Sequence, residues 1–185
     1  MSLNKAEKNQ LLAIARDSIQ HGIDSNEPLI VNLQDYSAAL NEKGASFVTL
    51  ELNHQLRGCI GMLDAIRPLA QDVAENAFAA AFRDRRFAPV NGQEVNQLAV
   101  HISILTPATP IQFSSEIDLL KQLRPQVDGL ILVEGARRAT FLPSVWDSLP
   151  EPTEFLYQLK RKAGLPSNYW SESLQFFRYH TEMID

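Results

Sequence analysis

The sequence predicts an α+β fold, a mainly antiparallel sheet flanked by helices. Three observations carry this. Period-two alternation appears in short runs, and 3.6-residue periodicity appears in separate, longer runs. After an N-terminal helix their order is β-hairpin, helix, strand, helix, hairpin, helix, strand, with no regular βαβ repeat. Finally, 45% of the 185 residues are hydrophobic and 21% are charged, enough to build an ordinary core. The length suits one domain, 1–185, or two tightly packed lobes.

Ser2 to Ile19 reads as an amphipathic helix, with Leu11, Leu12, Ile14, Ala15 and Ile19 on one stripe and Gly22 as its stop. Asp24 to Asn41 is polar and loop-like. Ser46 to Leu63 reads as a hairpin in which Val48, Leu50 and Leu52 alternate with Phe47, Thr49 and Glu51. A two-residue turn at Asn53-His54 sets Arg57 opposite Leu50, placing a charge on an apolar face. A three-residue turn through Gln55 pairs Leu50 with Gly58, Val48 with Ile60, Thr49 with Cys59 and Glu51 with Arg57. The second register keeps the faces uniform and is the expected one.

Pro68 suits the first turn of an alanine-rich helix, which Arg83-Asp84-Arg85-Arg86-Phe87 closes and Pro89 ends. Val100 to Leu105 reads as a strand, with His101, Ser103 and Leu105 on one face. Ser115 caps a helix through Leu123, with Asp118 placed as in a capping box. Gly129 to Val133 reads as a buried strand, Gly135 to Arg138 as a turn, and Ala139 to Leu142 as the return. Thr153 to Ala163 is a helix ended by Gly164. Leu174 to Ile184 is expected to be one last strand.

Composition excludes several classes. The net charge of −5 and pI near 5.4 disfavour a general nucleic-acid binder, despite Arg83, Arg85, Arg86 and the run Lys160-Arg161-Lys162. No apolar run approaches the ~20 residues needed to cross a bilayer, so no membrane association is expected. A single cysteine makes no internal disulfide, and a reducing cytoplasm is the natural compartment. There is no zinc-type spacing of Cys and His, no phosphate-binding glycine loop and no G-x-S-x-G, so no metal and no cofactor is expected.

What remains is Leu56-Arg57-Gly58-Cys59-Ile60-Gly61. Cys59 is the candidate nucleophile, because the thiolate is the reactive form of cysteine. Arg57, two residues earlier, is the cation that could favour it. Gly58 and Gly61 allow either close backbone packing or close approach of a ligand. Glu51 joins the candidate binding residues through its expected pairing with Arg57. A lone strand cysteine is more often an inert small hydrophobe.

This hexapeptide, with Pro68-Leu69, Asp84-x-Arg86-Phe87-x-Pro89, Ile102-Ser103-Ile104-Leu105-Thr106-Pro107, Phe141-Leu142-Pro143-x-Val145-Trp146 and Lys162-Ala163-Gly164-Leu165-Pro166, resembles the AMMECR domain family over nearly the whole chain. Ser144 departs from the glutamine frequent there. The resemblance implies two unequal lobes with a cleft between. It implies a functional patch at Arg57, Gly58, Cys59 and Gly61, with Asp84 and Arg86 as further motif residues near it. It also implies Memo-type dioxygenase-like proteins and radical-SAM proteins as partners in a redox or modification pathway, and a small-molecule ligand. An enzyme, or enzyme component, and a non-catalytic scaffold module both fit these residues.

Overall fold

The computed structural model describes residues 3–185, so Ser2, the expected first helical residue, lies outside the described residues. Helix α1 runs Lys5–Ser25, opened by a reciprocal capping box between Asn4 and Glu7. It passes through Gly22 instead of stopping there. A Cβ at Gly22 would sit 2.4 Å from the Phe82 ring, so the glycine serves helix–helix contact. Asn26, at φ 60°, ends the helix in its place. The segment read as loop contains a short helix, α2 (Ala38–Asn41), and a 3₁₀ turn at Leu33–Asp35.

A two-stranded ladder joins β1 (Lys43–Gly44) to β4 (Arg67–Pro68). Between them lie β2 (Ser46–Leu52) and β3 (Gln55–Gly61). Helix α3 (Leu69–Phe82) follows, then β5 (Ala99–Leu105). The later elements are β6 (Thr109–Pro110), α4 (Glu116–Gln122), β7 (Gly129–Glu134), β8 (Arg137–Phe141), α5 (Pro152–Lys162), β9 (Gln175–Tyr179) and β10 (Thr181–Ile184). Two four-stranded sheets result, ordered β10-β5-β2-β3 and β6-β9-β7-β8.

The chain forms two compact units. One reaches to Leu105 and takes in Glu182–Asp185; the other is Thr106–Thr181. In the first, α1 and α3 cover one sheet face around Val48, Leu50, Val100 and Ile102. Asp72 on α3, fully buried, accepts from the Ser46 backbone (2.8 Å) and hydroxyl (2.7 Å), from Arg67 (2.9 Å) and from Asn76 (2.9 Å). That locks the start of β2 to the helix. Burial pushes the Asp72 carboxyl up from its ordinary value, and its donors oppose the shift.

In the second unit, α5 supplies Phe155, Leu156 and Leu159 to a core with Trp146, Leu130 and Leu132. Two expectations are corrected here. The β7–β8 turn has two residues, Gly135 and Ala136, because Glu134 pairs with Arg137; Arg137 and Arg138 therefore belong to the strand. The expected last strand is two strands in different sheets, broken at His180. Side-chain periodicity reports which face of a strand is buried and not which sheet it joins, so it does not reveal the break.

Candidate functional site

The hairpin obeys both candidate registers in turn. Near its tip, Leu52 pairs with Gln55 and Glu51 with Leu56, the register of a two-residue turn. Asn53 and His54 take φ 53° and 62°, as a type I′ turn requires. Beyond a bulge, Leu50 pairs with Gly58, Thr49 with Cys59 and Val48 with Ile60. Arg57 is the extra residue of the bulge. The expected Glu51–Arg57 cross-strand pair is therefore absent, since a bulge re-aims the inserted side chain. Arg57 instead grips Glu94 from 37 residues away, Nε to Oε1 at 2.9 Å and Nη2 to Oε2 at 3.1 Å. The Arg57 guanidinium holds the Glu94 carboxyl below the usual range. Arg57 is thus committed to an ion pair with Glu94.

Gly58 faces the core. A Cβ there would lie 2.1 Å from the Ala80 carbonyl oxygen, so α3 rests directly on the strand backbone. Gly61 is equally constrained: a Cβ there would stand 2.3 Å from Phe47 Cγ and 2.4 Å from Ser46 O. The glycines of the hexapeptide are accounted for by packing.

Strand β3 is a sheet edge, so the outward N–H and C=O of Cys59 have no neighbouring strand. The chain leaving α3 supplies a substitute. Cys59 N–H donates to Asp84 Oδ2 at 2.9 Å, and Arg86 Nη2 donates to Cys59 O at 3.3 Å. Arg86 and Asp84 are joined by contacts of 2.7 Å (Nη2–Oδ2) and 3.0 Å (Nε–Oδ1). The Arg86 guanidinium, helped by the Cys59 and Arg86 backbone donors, holds the nearly buried Asp84 carboxyl far below the usual carboxylate range. The structure thus brings Asp84 and Arg86 to the Cys59 backbone, and the Arg86 guanidinium also interacts electrostatically with Cys59.

The Cys59 side chain lies half-buried on the sheet face away from the helices. The Thr49 hydroxyl donates to Sγ at 3.3 Å. Thr49 also pairs with His101 on β5, so thiol, hydroxyl and imidazole form one transverse row. His101 Nδ1 is 2.6 Å from Asp185 Oδ1, and Nε2 is 3.8 Å from Glu51 Oε2. Glu51 therefore reaches this face by way of His101. Two strand spacings separate Cys59 from His101, about 10 Å between backbones. The imidazole reaches the sulfur only through Thr49 or a bound molecule. Glu94, His101 and Asp185 had no signal in local spacing; their placement follows from strand pairing and the post-helix turn.

Of the basic runs, Lys160 is sealed, its Nζ 2.7 Å from Glu116, and Arg83 lies over the Phe78 ring. Among the described residues no three of His, Cys, Asp or Glu converge to hold a metal ion, and no helix is long and apolar enough to cross a membrane.

The family model described as AMMECR1 matches residues 12–184. A protein of Methanothermobacter thermautotrophicus is 33% identical over 98% of this chain and 95% of its own length. One from Methanocaldococcus jannaschii is 35% identical over 83% of this chain and 78% of its own. The crystal structure of the uncharacterized protein PH0010 from Pyrococcus horikoshii is similar at a TM-score of 0.90 and 30% identity. That match covers 98% of this chain and 92% of that one.

Proposed function

This chain belongs to the AMMECR1 family, and we propose that it is an enzyme component of a modification pathway, working through the sheet face that carries Cys59. The observation that supports this reading is the row Cys59–Thr49–His101, with Asp185 behind the imidazole. It sets a nucleophile, a hydroxyl donor and a titratable ring on a face that the helices leave uncovered. A substrate carbonyl or activated carbon lying over Thr49 would touch the sulfur on one side and the imidazole on the other. Memo-type and radical-SAM proteins, implied by the resemblance, are the partners this proposal names.

Iodoacetamide is expected to alkylate Cys59 in the native chain, and Cys59→Ser is expected to fold normally while losing the label. Thr49→Val should change the labelling rate without changing the unfolding free energy by more than about 1 kcal/mol. A sulfur that labels only after urea unfolds the chain would overturn the reading.

A specific observation favours a second reading, a docking module without chemistry. Arg57, Gly58, Gly61, Asp84 and Arg86 all have structural employment. Pull-down with Memo-type or radical-SAM proteins separates the two. If Cys59→Ser retains the partner and the modification proceeds unchanged, the chain is a scaffold.

A further inference from the structure

A second site lies in the unit Thr106–Thr181, and nothing about it depends on Cys59. There, a cavity of about 620 Å³ is lined by the segments 110–114 and 170–172 and by 174–177 along β9. That volume lies in the range of small-molecule sites. We propose that this cavity binds a free small molecule through a planar heteroaromatic ring that carries no negative charge, stacked on Trp170.

The two tryptophans have opposite fates. Trp146 is fully buried, stacked on Phe155 at 3.7 Å, with its N–H given to Asp128 O. Trp170 is 37% exposed on the cavity wall. Its position is held from both sides. Tyr169 Oη (2.8 Å), Ser171 Oγ (2.9 Å) and Ser173 Oγ (2.8 Å) all donate to one oxygen, Glu134 Oε1. These hydroxyls, Ser173 and Tyr169 foremost, hold the Glu134 carboxyl below its ordinary range. Phe113 meets Trp170 edge-on at 5.6 Å and Phe176 edge-on at 5.5 Å, and Phe176 lies nearly parallel to Trp170 at 6.4 Å, which fixes the rings further. An exposed indole on a loop anchored this way is pre-organised for stacking, and pre-organisation lowers the cost of binding.

Charge selects the ligand class. Glu172 is the charged side chain among the lining residues. Lys160 comes near, its Nζ 5.4 Å from the Trp170 ring centre, but it is fully buried and held by Glu116 and the Ser167 carbonyl. No lining cation is therefore offered to a phosphate or carboxylate. The exposed amides of Gln112 and Gln175 both donate and accept, as the edge of a nitrogen heterocycle requires.

The test uses the full chain and the emission of its two tryptophans, one of which is sealed. Adenosine and riboflavin are the uncharged probes; AMP and FMN are their phosphorylated twins. At least one uncharged probe is expected to quench emission saturably and to bind more tightly than its twin. Read by equilibrium dialysis, since these variants lack the reporting indole, Trp170→Ala should weaken that binding about tenfold or more, and Trp170→Phe should restore most of it. Absence of saturation with all four probes overturns the proposal. So does tighter binding of the phosphorylated twins, or binding that Trp170→Ala leaves unchanged. Saturation only by an aromatic side chain of an added peptide would also overturn it, by making the cavity a protein-docking site.

Discussion

Gly58→Ala is expected to destabilise the first unit by about 3 kcal/mol, the upper end of the usual cost of overpacking. The new methyl would sit 2.1 Å from the Ala80 carbonyl oxygen. That oxygen is helix backbone and cannot rotate away, so α3 must lift from β3 as a body. The lift also draws the turn after α3 off the edge of β3, removing the Asp84 and Arg86 contacts to Cys59. Urea unfolding followed by far-UV circular dichroism should show a lower midpoint for this unit. Gly92→Ala is the control, because nothing lies within 4 Å of a Cβ there. Equal midpoints for the two variants would mean that α3 does not rest on Gly58.

Asp84→Asn is expected to cost about 2 kcal/mol near neutral pH, the scale of a hydrogen-bonded charged group. The carboxylate accepts from Cys59 N–H, Arg86 N–H and the Arg86 guanidinium, and an amide can satisfy only part of that set. The partial exposure of Arg86 keeps the figure below that of a fully buried pair. The pH dependence has a definite sign. The folded-state pKa of Asp84 is depressed, so its contribution is fully present above the unfolded value of about 3.9. It is lost as pH falls from there toward the folded value. The stability gap between the natural protein and Asp84→Asn should therefore be flat from about pH 5 to 8 and close below about pH 4. A gap that stays constant in acid would show that the charge of Asp84 is not what binds the edge.

These two variants account for two distant motifs at once. Leu56–Gly61 supplies a strand edge that a helix can approach closely, and Asp84-x-Arg86 supplies the groups that close that edge. The requirements of each are local: no Cβ at Gly58, a carboxylate and a guanidinium two residues apart after a helix. Their meeting is not local, and it depends on the length and direction of α3.

Periodicity made α1, α3, α5 and the strands legible, since the core face of an element repeats in its own sequence. The hairpin shows where such reasoning stops. Polar and apolar alternation selected the inner register, Thr49 with Cys59 and Leu50 with Gly58, and this is the register observed. It did not reveal the bulge at Arg57, because one inserted residue satisfies a two-residue turn at the tip and the uniform face further in. That single insertion turned Arg57 from Glu51 to Glu94. The break at His180 was hidden because β9 and β10 follow one another with a single residue between them while belonging to different sheets.

The chain's own residues determined its class, its element order, its family and the address of Cys59, because these rest on patterns carried within a few residues of one another. Most of the groups around that thiol were decided only on folding. Thr49, readable from the alternation, lies beside it; His101 joins the row through Thr49 by the β2–β5 pairing, Asp84 and Arg86 reach the Cys59 backbone by the path of a helix, and Arg57 is turned to Glu94 by a bulge. Contacts between residues 10 to 84 positions apart are set by packing free energy summed over whole elements, and no local spacing records that sum.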